Sequence, residues 1–431
     1  MKQITLKTEK LIHGGQALGH TGGKACFIWN ALPEEEIRAW VLREKGNFLE
    51  AQASEILTPS PDRIAPKESH YLACAPWQIL SWEAENHWKN KIAEETYTRL
   101  GKLAAPKIDS IVFNSEQIMG YRNKIEYSFL IRKESGQPQT PGFGIHQRGN
   151  QDLHPLQSCC LARTEVNETA AAVLEWLKNA PIPMKNLKRL VVKSGLAGET
   201  LAILYVKARS AMPAAMPPLL NSLKGLVICL QDQENRGSQE GRMLWQSGTL
   251  SLTTTVLDTP LEHGPQSFFQ VNPPLFELAL KDMIEWLSEK DKVVDYYAGV
   301  GAISLPLAKY FASCILVENH GESADFAQRN ITRLSLDHCR LQKSSAENST
   351  RWIESDQILI LDPPRAGIGD KLLRKILEKK PLRLIYLSCD IATHARDIAK
   401  LSESYILRKL KLYNFFPRTP HIESLAILDR K

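Results

Sequence analysis

Three short segments in the C-terminal part of this 431-residue chain carry side chains able to do chemistry. Ser388-Cys389-Asp390 follows the apolar run 384–388. A cysteine at the end of a buried strand is either an inert core thiol or a nucleophile held at the top of a sheet. Asp362-Pro363-Pro364-Arg365 follows another apolar run, 357–362, and its prolines stiffen the loop that carries the acid, although a plain turn has the same look. His421-Ile422-Glu423 comes last, after Phe416-Pro417-Arg418-Thr419-Pro420, and adds a carboxylate that could serve as a base.

A fourth segment has the features of a ligand loop. Asp295-Tyr296-Tyr297-Ala298-Gly299-Val300-Gly301 follows the apolar strand 293–296, and Glu318 closes the next strand 23 residues after Asp295. Glycines in the first loop of a parallel sheet let the backbone approach a ligand, and an acid at the next strand end suits ribose hydroxyls. Ser304 stands where a dinucleotide fingerprint would place its third glycine. The pattern fits a nucleoside cofactor without a pyrophosphate, as S-adenosylmethionine is; a dinucleotide or a vestigial site remains open.

The elements that must position these residues have two textures. After Pro273, helical and apolar strand-like stretches alternate: a helix over 274–289, strands over 293–296, 314–318, 357–362 and 384–388, with helices of ordinary length between them. Such alternation predicts a doubly wound, mostly parallel sheet. The last two runs, 405–415 and 423–428, are placed to pair antiparallel at an edge. Before Pro273 the signals are mostly β. Strand-like runs over 5–7, 25–29 and 36–41 are separated by His13-Gly14-Gly15 and Thr21-Gly22-Gly23-Lys24, which predicts a small OB-like barrel of five or so strands within 1–62. Such barrels bind oligonucleotides, or serve structural and protein-binding roles. A helix is expected over 77–103, docked on the catalytic domain. Strands over 125–131, 190–193 and 201–206 belong to a central α+β domain within 63–262, and 212–218 reads as a surface connection or helix start.

Composition narrows the class. The chain is 43% hydrophobic and 24% charged, has a formal net charge of +6, and is long enough for two to four domains. No apolar run is long enough to cross a bilayer and the first residues lack a secretory pattern, so residence in the cytoplasm is expected. The eight cysteines have no disulfide-like spacing. A positive balance leans toward a polyanion without establishing one, and Arg122, Lys124, Arg148 and Arg365 are either phosphate contacts or solvated surface charges.

Taken together, the ordered motifs resemble the RNA 5-methyluridine methyltransferases that act on ribosomal and transfer RNA. The resemblance covers nearly the whole chain. It includes an N-terminal part similar to a TRAM domain, with His13-Gly14-Gly15, Ala31-Leu32-Pro33 and Ser60-Pro61-Asp62-Arg63. It continues through Tyr121-Arg122-Asn123-Lys124, Phe268-Phe269-Gln270-Val271-Asn272, Asp362-Pro363-Pro364-Arg365, Ser388-Cys389 and His421-Ile422-Glu423. It implies a Rossmann-like S-adenosylmethionine-dependent domain over 263–431, Cys389 as nucleophile on uracil C6, and Glu423 as the base for the C5 proton. Gln270, Tyr297, Gly299, Gly301, Glu318 and Asp362 are the implied cofactor contacts. The implied partner is structured RNA. 23S ribosomal RNA is expected because transfer-RNA relatives often lack the barrel; the transfer RNA T-loop and a weakly catalytic assembly factor are the alternatives. No obligate protein partner is evident. The target base must leave its stack to reach Cys389.

The chain also departs from that family. Many relatives hold a [4Fe–4S] cluster on four cysteines, and such a cluster needs four thiolates or close substitutes. Here the segment 66–77 keeps Cys74 alone, Lys67 stands where the first cysteine is expected, and Cys160 or Cys159 matches the distant ligand, so no cluster is expected. Ala298, Ala302 and Asn414 replace residues more common in relatives, while the nucleophile and base are intact.

Overall fold

The structure, a computed structural model, describes residues 2–104, 106–132, 140–146, 148, 153–210, 212–213, 220–231 and 241–431. Most of the connection expected over 212–218 lies outside the described residues. Strands β1 (Gln3–Leu11), β2 (Ala17–Thr21), β3 (Lys24–Trp29), β4 (Glu36–Glu44) and β5 (Phe48–Thr58) close into a barrel in the order β1-β2-β3-β5-β4. Side chains alternate in and out along each strand, and small residues such as Ala17, Ala39, Ala51 and Ala53 fill so narrow an interior. Gly22 and Gly23 both take positive φ in the β2–β3 hairpin, the backbone twist that a two-residue turn needs.

The motif pieces Leu32 and Ser60-Arg63 meet in one buried knot. The Glu35 carboxylate, fully buried, pairs with the Arg63 guanidinium and accepts from the backbone N–H of Leu32 (2.8 Å) and Ser60 (3.2 Å). From there a strap runs through a one-turn helix α1 (Tyr71–Cys74) and a 3₁₀ turn (Pro76–Ile79) to helix α2 (Trp82–Arg99). The helix expected over 77–103 is therefore shorter. Pro76 opens the 3₁₀ turn, Ser81 accepts from Ala84 N–H as the cap, and Gly101 packs so closely under Tyr97 that its Cβ would sit 2.5 Å from the Tyr97 carbonyl oxygen.

Beyond β6 (Asp109–Val112) lies a seven-stranded sheet. It comprises β7 (Lys124–Arg132), β8 (Thr140–His146), β9 (Leu153–Leu156), β10 (Leu187–Ser194), β11 (Thr200–Val206), β12 (Leu223–Leu230) and β13 (Arg242–Gly248). Their order is β13-β12-β11-β10-β7-β8-β9, and helix α3 (Thr164–Leu177) covers one face through Val166, Ala170, Val173 and Leu177. The hairpin β14 (Leu252–Val256) and β15 (Thr259–His263) then hands the chain to α4 (Pro273–Ile284), shorter than the 274–289 expected.

The C-terminal sheet contains β16 (Lys292–Tyr296), β17 (Ser313–Glu318), β18 (Cys339–Lys343), β19 (Gln357–Leu361), β20 (Arg383–Ser388), β21 (Tyr405–Tyr413) and β22 (Glu423–Arg430). The order is β18-β17-β16-β19-β20-β22-β21-β6, parallel from β18 to β20, with β22 antiparallel to both of its neighbours. The pairing of the last two runs is as expected, but not their place at the edge: β6 adds outside β21. Nor does an α-helix separate every pair of strands. α5 (Gly321–Arg333), α6 (Asp370–Lys379) and α7 (Ile391–Leu401) do so, whereas β16 and β17 are joined by turns ending in a 3₁₀ turn (Ala308–Tyr310). Pro306 cannot donate to Ala302, and its ring opposes a continuous helix there.

Packing differs from a simple three-part division at 63 and 262. One apolar core runs from the barrel through Trp77, Ile79, Ile92, Ala93 and Tyr97 of the strap and α2 to Tyr386, Ala395 and Ile398 on one face of the catalytic sheet. Val256 and Leu261 of the hairpin join the core on the opposite face, with Phe276, Leu280 and Phe326.

α2 is bolted to the loop before β22 by buried charges. Lys89 and Glu85, both fully buried, stand 2.9 Å apart. Lys89 Nζ donates to Asn414 Oδ1 (2.6 Å) and the Phe416 carbonyl (3.2 Å), while Glu85 accepts from Asn414 Nδ2 (3.0 Å) and Arg418 N–H (3.1 Å). Burial pulls the Lys89 pKa down and the Glu85 charge opposes that shift. Removing one partner of such a pair strands the other in a dry interior. Lys89→Met is expected to cost about 3–5 kcal/mol of stability, read as a lowered urea midpoint; an unchanged midpoint would show that the pair carries no net stabilisation.

Candidate active site

All the chemistry-bearing loops leave the same edge of the C-terminal sheet, the carboxyl ends of β16, β17, β19 and β20. The glycine loop after β16 needs left-handed backbone at Tyr297 (φ +64), Gly299 (φ +58) and Gly301 (φ +85). At Gly301 a Cβ would lie 2.5 Å from Leu305 Cδ1, so close packing excludes a side chain. At Gly299 a Cβ would meet nothing within 4 Å, so the loop opens on free space, and its N–H donates to Glu318 Oε2 (2.7 Å). Glu318 Oε1 accepts from His320 N–H at 2.6 Å. A carboxylate has about four lone-pair directions, so Glu318 retains acceptors for a ligand's hydroxyls. The Tyr297 phenol lies by Glu347 and the Gly369 N–H; burial first and the Glu347 charge next push its pKa up to about 12.

Gln270 closes the space from the other side. Its Nε2 is 3.5 Å from Asp362 Oδ2, and its carbonyl accepts from Asn123 Nδ2 at 3.1 Å. The loop that carries it is clamped by charges from two domains. Lys193 of β10 donates to the Gly264 (2.8 Å) and Ser267 (2.5 Å) carbonyls, and Glu322 of α5 accepts from Gln266 N–H and Ser267 N–H (2.7 Å each). Tyr121 O–H donates to the Pro417 carbonyl (3.1 Å), so the central-sheet motif also touches the segment leading to Glu423. Gln270 thus meets Asp362, and Gly299 meets Glu318, at the carboxyl edge of the sheet.

Cys389 is pinned between strand and helix. Ser388 ends β20, while Asp390 caps α7 by accepting from Ala392 N–H (3.1 Å) and Thr393 N–H (2.9 Å). The thiol therefore sits beside a helix N-terminus, whose partial positive charge favours a thiolate. Antiparallel pairing sets Ser424 opposite Ser388, which brings Glu423 beside Cys389. Glu423 is 1% exposed, and its Oε1 has no hydrogen-bond partner.

The electrostatics follow from burial and crowding of acids. Burial, then Glu423 and Asp362, push the Cys389 pKa up to about 12, against Arg365. Burial and then Asp362 also hold the Glu423 carboxyl far above its ordinary range, again against Arg365. Burial pushes Asp362 up to about 7, with Asp295 adding to it, and burial pushes Asp295 to about 7 as well. Beside this acidic interior stand cations: burial, then Arg365, Lys89, Arg122 and Arg148 press the His421 pKa down to about 3. Arg148 also stacks on Trp29 of the barrel, its guanidinium 4.8 Å from a ring centroid.

The structure thus brings Cys389, Glu423, Asp362 and Gln270 together, with Gly299, Gly301 and Glu318 alongside; Tyr297 heads the same loop, its phenol turned to Glu347 and Gly369. Sequence reasoning passed over Lys193, Glu322 and the buried acid role of Asp295. Lys193 shares its strand with Lys188 and Arg189, so nothing in the sequence singled it out. Next to Lys67, the Glu68 side chain meets the cysteines, with Cys160 Sγ 3.0 Å from Glu68 Oε2.

Comparison with known proteins agrees with this geometry. Residues 84–431 match the tRNA (uracil-5-)-methyltransferase family. An uncharacterized RNA methyltransferase of Nitratidesulfovibrio vulgaris is 25% identical over 455 residues, covering 99% of this chain and 96% of its own. One of Listeria innocua is 28% identical over 458 residues, covering 100% and 98%. The crystal structure of Pyrococcus abyssi tRNA (uracil-54, C5)-methyltransferase in complex with S-adenosyl-L-homocysteine shares the fold, with a TM-score of 0.75, 21% identity, and coverage of 99% of this chain and 100% of that one. With a match over most of its length, the chain belongs to the tRNA (uracil-5-)-methyltransferase family and is an S-adenosylmethionine-dependent RNA methyltransferase.

Proposed function

We propose that the chain methylates carbon 5 of a uridine in structured RNA through a covalent Cys389 adduct, with 23S ribosomal RNA as the substrate. The observation that carries this reading is the meeting of the Cys389 thiol with the Glu423 and Asp362 carboxyls at one sheet edge, with Arg365 against them. Uracil C5 is a weak nucleophile. Addition of the Cys389 sulfur to C6 moves electron density onto C5, and loss of the C5 proton to Glu423 then re-forms the C5–C6 double bond as the thiolate leaves. The cofactor, when bound, supplies the electrophilic methyl; Gln270, Gly299, Glu318 and Asp362 would hold it.

Burial and mutual repulsion penalise the anions of both Cys389 and Glu423, and the Cys389 thiol, pushed up to about 12, keeps its proton in the free protein at neutral pH. Deprotonation must therefore accompany RNA entry. Arg365 and the α7 N-terminus are the groups that favour the anions formed then. The neighbouring guanidiniums of Arg122, Arg148 and Arg365 suit the phosphates that flank an extruded base.

A transfer-RNA substrate is the second reading. The barrel was the feature that pointed to ribosomal RNA, yet the Pyrococcus abyssi enzyme, named for a transfer RNA uridine, matches over 99% of this chain, barrel included. Labelled methyl transfer to ribosomal and transfer RNA from cells lacking the protein decides between them. Label in a 23S uridine supports the first reading, label in transfer RNA replaces it by the second, and no label in either overturns both.

Cys389→Ala is expected to abolish transfer while S-adenosylmethionine still binds in calorimetry; residual turnover would remove the covalent mechanism. Glu423→Gln should leave a denaturation-resistant protein–RNA band, because the C5 proton can no longer be taken; a folded variant without that band would exclude Glu423 as base. A thiol with a pKa of about 12 gains thiolate about tenfold per pH unit at every pH below that value. Iodoacetamide labelling of Cys389 in the free protein should thus rise steadily from about pH 6 to pH 9. A plateau near neutrality, read by peptide mass spectrometry, would show an already ionised nucleophile.

A further inference from the structure

Away from the catalytic edge, the strap between barrel and α2 meets the central domain at a second group of metal-ligating side chains. Glu68, His70 and Cys74 each present a ligand atom, all within 4.8 Å of one another. Across from them Cys160 Sγ lies 3.0 Å from Glu68 Oε2, and Cys160 N–H donates to Glu68 Oε1 at 2.6 Å. We propose that Glu68, His70, Cys74 and Cys160 form a closed structural site for a single zinc ion, where many relatives hold an iron–sulfur cluster. The inference does not rest on the methyl-transfer reading.

The donors argue against a four-iron cluster and for one ion. A cubane places each of its four ligands on a separate iron and takes thiolates or close substitutes. Here a carboxylate and an imidazole stand with the thiols, and the ligand atoms crowd together. Ligands around one tetrahedral ion at bond lengths of about 2.0–2.3 Å lie roughly 3.3–3.8 Å from each other; Glu68 lies 3.4 Å from His70, 4.0 Å from Cys74 and 3.0 Å from Cys160. A mixed nitrogen, oxygen and sulfur set suits zinc, which has no geometric demand of its own and accepts all three.

The present contacts leave room for that ion. Cys74 Sγ has long contacts of 3.8 Å to the His70 carbonyl, 3.9 Å to the Tyr71 carbonyl and 4.0 Å to Glu68 Oε2, and its thiol also pairs with Cys159. His70 stands at the N-cap of α1 yet makes no capping bond, and its buried Nε2, 3.4 Å from Glu68 Oε1, lacks a hydrogen bond of good geometry. Gln78 Nε2 braces the carboxylate at 3.2 Å, the kind of outer partner that orients a metal ligand.

The position gives such an ion a task. The Cys160 carbonyl accepts from Gly120 N–H (2.9 Å) and the Leu161 carbonyl from Arg122 N–H (2.8 Å). The site therefore backs the loop whose Tyr121 and Asn123 touch Pro417 and Gln270. An ion here joins barrel strap, central domain and catalytic loop as a redox-inert rivet.

The test is the metal content of the untagged full-length protein from cells supplied with both iron and zinc. The expected result is about one zinc per chain, without matching iron or acid-labile sulfide. Zinc-stripped protein titrated with Co²⁺ should show thiolate-to-cobalt charge-transfer absorption and intense tetrahedral d–d bands. Cys74→Ala and Cys160→Ala should lose the thiolate absorption, and zinc should raise the melting temperature of the stripped protein. Metal-free protein with no cobalt–thiolate absorption overturns the proposal, as does a preparation carrying iron with labile sulfide. If the alanine variants fail to fold, the cobalt spectrum of the unaltered chain still reads the thiolates. Methyl transfer enters none of these outcomes.

Discussion

The buried pair of Lys89 and Glu85 holds the molecule to one geometry. Two full charges in a buried interior are tolerated because Asn414, Phe416 and Arg418 of one loop supply hydrogen-bond partners to both. That loop ends in Glu423, and α2 continues the strap from the barrel. Trp77 extends the chain of contacts: its indole donates to the Gly15 carbonyl at 3.1 Å, and a Cβ on Gly15 would collide with Pro420 at 2.7 Å. Barrel, strap and the strand that carries Glu423 are therefore one mechanical unit. Asn414, which relatives often replace by an acid, bridges both members of the pair and adds no third charge to them.

The active edge stores electrostatic stress of a useful kind. Burial, reinforced by neighbouring acids, raises the pKa of Asp295, Asp362, Glu423 and the Cys389 thiol alike, so each anion is disfavoured until something changes the field. Arg365 and the α7 N-terminus oppose the stress without removing it. Under the proposed function, a polyanion drawn to the neighbouring guanidiniums would change that field, and reactivity would depend on occupancy.

Much of this was legible in the chain. Periodicity alone placed β16, β17, β19 and β20 nearly to the residue, because strands buried on both faces read as continuous apolar runs. The loops at their ends then had to share one edge, which is why Cys389, Asp362 and Glu318 could be grouped without coordinates. What failed was local. Pro76 and Ser81 split an expected helix, Pro306 removed another, and β6 joined a sheet whose other strands lie more than 170 residues away in sequence. Long-range pairing of a four-residue strand leaves no periodic signal. The clamp of Lys193 and Glu322 was equally silent, since single charges acquire meaning only from what surrounds them.

The strand that carries Glu423 has an exacting property. Leu425 and Ile427 face one core and Ala426 and Leu428 face the other, so β22 is apolar on both sides. In such a strand hydrophobicity does not distinguish one alignment from its neighbour, and a slip by one residue would exchange Glu423 with Ser424 at little loss of burial. The alignment is set instead by two polar latches at its ends. Ser424 Oγ meets His394 Nδ1 at 2.7 Å, and Asp429 pairs with Arg383 at 2.7 Å. An insertion or deletion between the latches would leave a well-packed protein with Glu423 facing the wrong way, and the loop before the strand is held as tightly by Lys89 and Glu85.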